Sequence, residues 1–533
     1  MWADRAAVFT VLMVAAIAAL TFRDYGLGWD DYTHSQYGDL LLKLYGSGFS
    51  DTRALSFVNL YKYGGGFDMA AALAAKVLPF DLFETRRLVG AAVGILGLTA
   101  TFLLGRRMSG PLAGLIALLL LAACPLYYGH MFINAKDAPF AAAMAVMLLG
   151  FMRALHGYPR PDARAIALTG IGIGLAFGSR ILAVIAAPYI AAALLLVVVV
   201  ETRAGGWRAA TARFGRFVIA MLPALALGYL IMALLWPWSV VSPLNPIRAT
   251  EYFDTFFEKP WRELYEGAPI LVPDMPASYL PHLFLLKLPE IMLALGVAGI
   301  VGACAAAARV TMPANQRAGF LAVALAVVTP VAIAMVMRPA LYNGVRHFVF
   351  ILPPLAVLGG IAGAWILGKA RHHSKAAFGA LCIAFVASVA LPITDMIRLH
   401  PYEYTTFNWS SGGVRAARGR YMLDYWGLAF KQAAEQLRAQ LAAHHEMPPG
   451  GRRWVVAICG PQSSAEVELG PQFETTWEKK KADFAMELGT FYCRPLQAPL
   501  LVNVEREGVS YARAYDLRGR PTRLNLLTVP PPQ

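Results

Sequence analysis

Two carboxylates stand side by side in "GWDDYTHSQYGD", residues 28–39, directly after the first apolar run of the chain. Asp30 and Asp31, with His34 one helical turn on, are residue types that accept a proton or steady developing positive charge. One of them suits the N-cap of the helix that "YTHSQYGDLLLKLY" predicts, worth about 1 kcal/mol. A cap uses one acid and not two, and adjacent like charges raise each other's pKa. A second cluster, "YYGHMFINAKDAPFAA" at 127–142, crowds His130, Asn134, Lys136 and Asp137 into a short connection whose Pro139 fits a first helical turn. A third, "MRPALYNGVRHFVFILPP" at 337–354, brings Tyr342, Arg346 and His347. Carboxylates beside guanidinium and ammonium groups suit a reaction that takes a proton at one point and holds a phosphate at another.

The elements that must position these groups are membrane helices. Of 533 residues, 58% are hydrophobic and 15% charged, against about 25% charged in soluble domains. The net charge of +14 comes from Arg and Lys scattered singly between apolar runs, which excludes a nucleic-acid face and fits orientation in a bilayer. Crossing a bilayer takes roughly 20 helical residues. Runs of that length begin near residues 6, 88, 111, 138, 214, 283, 318, 346 and 376. The stretch 165–200 reads as two helices meeting at "GSR", with Arg180 at the tip. That predicts about eleven spans, the first a retained anchor rather than a cleaved leader.

With the N-terminus cytoplasmic, the inner loops "GRRMSG", "HGYPRPDAR", "ETRAGGWRAATARFGR", "ARVTMPANQR" and "GKARHHSK" carry the basic excess. The long acidic segments 23–86 and 237–282 then lie outside, with all three clusters. His372 and His373 fall inside and receive no role. Lys136, Arg180, Arg338 and Arg346 are the basic residues of the short outer connections, where the orientation rule would leave none, and they imply a bound anion. A lipid phosphate is the anion available there. The Gly-rich "YGGGFD" at 63–68 reads as a turn. Leu40, Leu41, Leu44 and Tyr45 predict a helix lying on the membrane under the site. In loop 237–282, Tyr279 and His282 could line an acceptor entrance, although Trp236, Trp238 and Tyr279 read more readily as interfacial anchors.

From about residue 398 the chain turns polar, with a helical period at 427–445 and strand-like runs at 453–459, 500–504 and 509–515. This predicts two domains, a membrane domain over residues 1–397 and a soluble α/β domain over residues 398–533 on the outer side. Cys459 and Cys493 are the two cysteines of the soluble domain and predict a disulfide in an oxidising compartment. No zinc-type spacing, P-loop or dinucleotide fingerprint occurs.

The acidic pair after span one, "NAKDAPF" and "YNGVRHFVFILPP", in that order, resemble the GT-C glycosyltransferases. Within them the chain is similar to the protein O-mannosyltransferase-like group, glycosyltransferase family 39, and its bacterial relatives. The tail "HPYEYTTFN…GRYMLDYWGLAFKQAAEQL" adds to the resemblance, which covers the chain to about residue 440. It implies an inverting transferase in a bacterial inner membrane, taking a monosaccharide from a polyprenyl-phosphate donor to a hydroxyl on the periplasmic side. The acceptor would be a protein, a lipid or a glycan. The family's first-loop Asp-Glu pair falls on Asp30 and Asp31, with Asp in the second place, and Asp30 takes the role of general base. The second-loop acid falls on Asp137, and the phosphate contacts on Lys136, Arg180 and Arg346. Some GT-C enzymes bind a divalent metal through loop acids, a role open to Asp30, Asp31 and Asp137, although nothing in their spacing requires it; the resemblance implies no other cofactor. His34, His130, Asn134, Tyr342, His347 and Tyr279 are candidates for the site lining. The competing class is a transporter or lipid flippase, which places polar groups at mid-membrane and shows repeated halves; these spans are nearly free of charge and the halves differ. A non-catalytic scaffold would leave both acid clusters without a purpose.

Overall fold

The computed structural model describes residues 2–254, 261–477 and 482–519. Portions of loop 237–282 and the end of the C-terminal domain therefore lie outside the described residues. Nine described helices are long and apolar enough to cross a membrane, beginning with Trp2–Thr21, Leu82–Ser109 and Asp137–His156 and ending with Lys375–Leu399. A further pair, Pro111–Ala122 and Pro125–Ile133, is bent by 65° at Pro125, whose missing N–H ends one helix and whose ring starts the next. The 15-residue helix Ala163–Phe177 is apolar but shorter than a full span. The segment 165–200 does break in two, at Gly178–Arg180, with Arg180 extended between the helices. The span expected from 283 starts at Glu290 instead, because Pro289 breaks it from the separate helix Tyr279–Lys287. Helix Asp137–His156 is the most enclosed, with 94% of its apolar window buried, and forms the centre of the bundle.

Three expectations for the connecting segments are corrected. The helix Asp31–Gly46 does not rest its leucines on a membrane: Leu41 and Leu44 pack in a protein cluster with Tyr37, Ala54 and Leu60. Trp236 is not an interfacial anchor, being fully buried with its indole N–H donating to the Tyr61 carbonyl at 2.9 Å. Tyr279 is likewise buried. The glycines of "YGGGFD" lead into a further helix, Gly66–Ala74. A Cβ on Gly64 would come within 1.9 Å of the Gly178 carbonyl, so this glycine lets the first segment close on the break that carries Arg180.

Among the described residues, two sheets complete the fold. A hairpin of β1 (Arg262–Tyr265) and β2 (Ala268–Leu271) stands in the 237–282 connection. Beyond the last long helix, β3 (Trp454–Cys459), β4 (Phe473–Thr476), β5 (Phe484–Leu488), β6 (Leu500–Arg506) and β7 (Val509–Asp516) form a sheet in the order β4-β3-β5-β7-β6. Strand β3 runs parallel to β4 and β5, and β7 antiparallel to β5 and β6. The amphipathic helix Phe430–Ala443 covers it with Ala433, Ala434, Leu437 and Leu441. Cys459 and Cys493 are disulfide-bonded. The segment 400–429 packs into the same continuous core as the membrane helices, through Tyr402, Tyr404 and Phe407.

Candidate functional site

The two neighbouring aspartates have different surroundings. Asp31 is buried, and both its oxygens accept from the Arg87 guanidinium, at 2.9 and 2.6 Å. It also accepts the Gly28 N–H at 2.7 Å. Asp30 occupies the N-cap position but makes no side-chain cap hydrogen bond, so neither acid caps the helix from N2 or N3 in the usual way. The Asp30 side chain is 44% exposed, faces a cavity of about 900 Å³, and has Arg346 at 3.7 Å. Burial alone would raise its pKa, but Lys136, Arg346 and His34 outweigh that and hold the carboxyl below its ordinary value. It is therefore an ionised base open to the cavity.

Arg262 lines that cavity but donates to the Pro269 carbonyl at 2.8 Å; the three expected cations, Lys136, Arg180 and Arg346, line it too. Each is seated by aromatic faces rather than by salt bridges alone. The Arg346 guanidinium lies over Tyr342 and Trp426, at 4.7 and 4.8 Å from the ring centroids, and Lys136 over Tyr63 at 4.1 Å. Arg180 lies 5.7 Å from the same Tyr63 ring and pairs with Asp137 at 2.7 Å. Burial pulls the Lys136 ammonium down to about 8, with Asp30 opposing. Among the described residues, Arg180 Nε, Arg346 Nε and His347 Nδ1 are buried atoms without a hydrogen-bond partner. Leaving such a donor unmet costs roughly 1–3 kcal/mol, and an anion reaching this end of the cavity would meet the two guanidinium N–H groups.

The other expected site residues divide between the lining and its support. His34, Asn134, Tyr342 and His347 line the cavity with Asp30 and Asp31. Asp137 sits behind them, held by Arg180 and by the Asn134 amide at 2.9 Å. His130 is buried one layer back, between Asn134 and the Tyr425 hydroxyl at 3.0 Å. Tyr279 is outside the lining and touches Glu263, and His282 bonds Tyr265 at 3.0 Å. Arg338, expected with the other cations, instead donates to the Met275 carbonyl at 3.0 Å and stays off the cavity. Asp30, Asp31 and Asp137 do not gather as a metal ligand set: Asp31 is taken by Arg87 and Asp137 by Arg180. Among the described residues no three His, Cys, Asp or Glu side chains converge for a metal.

Several site residues carry no local sequence signal. Buried Asp68 binds His34 Nδ1 and Arg86, each at 2.6 Å, and orients the imidazole at the cavity wall. Glu263 on β1 accepts the Asn343 N–H at 2.9 Å and the Gly344 N–H at 3.4 Å, which ties the hairpin to the turn just before Arg346. Burial pushes its carboxyl up to about 7 against those bonds. Tyr63 and Trp426, which seat the cations, come from segments read only as a turn and as a soluble domain. The doubled arginine at 86–87, facing the acids at 31 and 68, was the one visible hint.

The arrangement can take a proton from a hydroxyl at Asp30 and hold a phosphate at the cationic end. Residues 67–236 match the family model described as dolichyl-phosphate-mannose-protein mannosyltransferase. No curated protein sequence matches the chain. Among solved structures, ArnT from Cupriavidus metallidurans bound to undecaprenyl phosphate is 17% identical, with 95% of this chain and 97% of that one covered, at a TM-score of 0.47. The oligosaccharyltransferase AglB from Archaeoglobus fulgidus, in complex with an inhibitory peptide and a dolichol-phosphate, is 15% identical, with 91% and 69% covered, at 0.49. The chain spans 62% of the apo Archaeoglobus fulgidus oligosaccharyltransferase, covering 86% of its own length at 14% identity and a TM-score of 0.46. Through residues 67–236 the chain is thus similar to the dolichyl-phosphate-mannose-protein mannosyltransferase family, and nine of its described helices are long and apolar enough to cross a membrane.

Proposed function

We propose that the protein transfers a monosaccharide from a polyprenyl-phosphate donor to an acceptor hydroxyl, with inversion, at the periplasmic face of a bacterial inner membrane. The observation that carries this reading is the shared cavity in which ionised Asp30 faces Lys136, Arg180 and Arg346. The acceptor oxygen attacks the anomeric carbon while the bond from that carbon to the phosphate oxygen breaks. Asp30 takes the hydroxyl proton, and the lipid phosphate leaves with its new charge held by the three cations. Asp31 and Asp137 act as positioning residues, one through Arg87 and the backbone of the Asp30 loop, the other through Arg180. The side assignment is supported by the basic connections at the opposite ends of the helices, with Arg106 and Arg107, Arg153 and Arg164, and Arg371 and Lys375.

The test is mass spectrometry of lipid and protein fractions from cells with and without the protein. One fraction should lose a mass corresponding to a single hexose or pentose unit when the gene is deleted and regain it on complementation. Fractions that match in every sugar-bearing species would sink the reading.

A further inference from the structure

The loop that delivers Asp30, residues 25–29, has no helix or strand of its own. Most of what fixes it comes from the other end of the chain. Tyr25 Oη donates to Glu403 at 2.9 Å. The Leu27 N–H donates to Glu468 Oε1 at 2.9 Å, and the Gly28 carbonyl accepts from the Ser464 hydroxyl at 2.7 Å. The Trp29 N–H donates to the Trp426 carbonyl at 3.0 Å. Gly28 lies so close to Trp426 that a Cβ there would fall 1.7 Å from the indole ring. Ser464 is 1% exposed, so its bond to the loop is made away from solvent.

We infer that the C-terminal domain is a brace for the loop that carries Asp30, with Ser464 and Glu468 as its positioning residues. For the role of Asp30 this rests on the transferase reading above. Both residues sit on the short helix Gln462–Leu469, which leaves the sheet directly after Cys459 at the end of β3. The disulfide to Cys493 fixes that strand end, so the brace is anchored covalently at its root. The same region also closes the cavity wall with Gly460, Phe491 and Tyr492. Asp31 and Arg87 hold the loop from the membrane side, through the Gly28 N–H and the Gly26 carbonyl at 2.7 and 2.6 Å. The loop is thus clamped between two bodies, and Asp30 keeps its place only while both grip. The cations that would hold the donor phosphate sit on other segments, so loosening the brace displaces the base and leaves the donor bound.

The experiment uses the full-length protein with Ser464→Ala, Glu468→Ala, Glu468→Gln and, as a remote control, Arg415→Ala, whose bonds run to Glu507. Two quantities are read: hydrogen exchange of the 25–31 segment, and kcat against donor KM. Displacing a catalytic group by about 1 Å costs on the order of 100-fold in rate. In the two alanine variants, exchange of the loop amides should rise at least about tenfold, and kcat fall about 10- to 100-fold with donor KM within about threefold. Glu468→Gln keeps an acceptor for the Leu27 N–H and should stay close to wild type in both readings, as should Arg415→Ala. Unchanged loop exchange in the alanine variants overturns the brace, and so does raised exchange with unchanged kcat. Equal damage from Glu468→Gln and Glu468→Ala also overturns it. If the wild-type protein transfers no sugar, the transferase reading falls while the exchange arm still decides whether the loop is braced.

Discussion

Replacing Asp31 by Asn should unfold the protein far more readily than the same change at Asp30 one residue earlier. Asp31 and Arg87 are each 3% exposed and meet at 2.6 Å. Asparagine keeps an acceptor for the Gly28 N–H but removes the charge, leaving the guanidinium with the Gly26 carbonyl at 2.6 Å as its main remaining partner. A buried charge stripped of its counter-ion costs about 3–5 kcal/mol. At Asp30 the side chain is 44% exposed and its ion contact to Arg346, among the described residues, is at 3.7 Å, so Asn there should cost at most about 1 kcal/mol. The two substitutions therefore differ by at least about 2 kcal/mol, some thirtyfold in the unfolding equilibrium. The assay is unfolding in mixed micelles of rising dodecyl sulfate content, followed by tryptophan fluorescence, on Asp31→Asn, Arg87→Met and Asp31→Leu/Arg87→Met. The double variant, which buries no charge, should recover most of the loss. The reasoning is refuted if Asp31→Asn stays within about 1 kcal/mol of wild type, or if the losses at 31 and 87 simply add.

Three further outcomes follow from the same geometry. Burial sets the Lys136 ammonium at about 8, so affinity for a polyprenyl phosphate should fall as pH rises through 8, and Lys136→Arg should flatten that limb; a limb that survives in the Arg variant contradicts the assignment. The Glu263 carboxyl is raised to about 7, above the unfolded value near 4.3, so the folded state holds the extra proton. Stability should decline as pH climbs from about 4 to 7 and level off above, and unfolding midpoints of Glu263→Gln should lack the decline. The Cys459–Cys493 bridge closes a sequence separation of 34, and Cys459→Ser/Cys493→Ser should destabilise the C-terminal sheet by about 3–4 kcal/mol in a denaturant titration; a change under about 1 kcal/mol would count against the loop-entropy estimate.

The helical framework was legible because membrane spans announce themselves by length and apolarity, and the helix break at Arg180 because two charge-biased loops needed an even crossing between them. The small α/β domain was legible in the helix Phe430–Ala443 and three of its strands; the helix Gln462–Leu469 and strands β4 and β5 were missed, being short and lacking a clear period. What stayed hidden was pairing over distance. Nothing local joins Asp31 to Arg87 or Asp68 to His34 and Arg86, because each partner looks like an ordinary charged residue at a helix end until the fold buries them together. The aromatic seats were hidden for a similar reason: Tyr63 and Trp426 are polar-segment aromatics whose partners, Lys136 and Arg346, lie far off in sequence. Trp236 and the Leu41–Leu44 face misled because burial against protein and burial against lipid select the same residues.

The most direct test of the account is sugar transfer by Asp30→Asn, purified and placed in lipid nanodiscs beside the wild type with the same polyprenyl-phosphate sugar. The substitution removes the base and little else: the account predicts a fall in kcat of about 100-fold or more, donor affinity within about threefold, and unfolding within about 1 kcal/mol of wild type. Transfer within about tenfold of wild type, in a variant that folds and binds the donor, would contradict the claim that Asp30 takes the acceptor's proton.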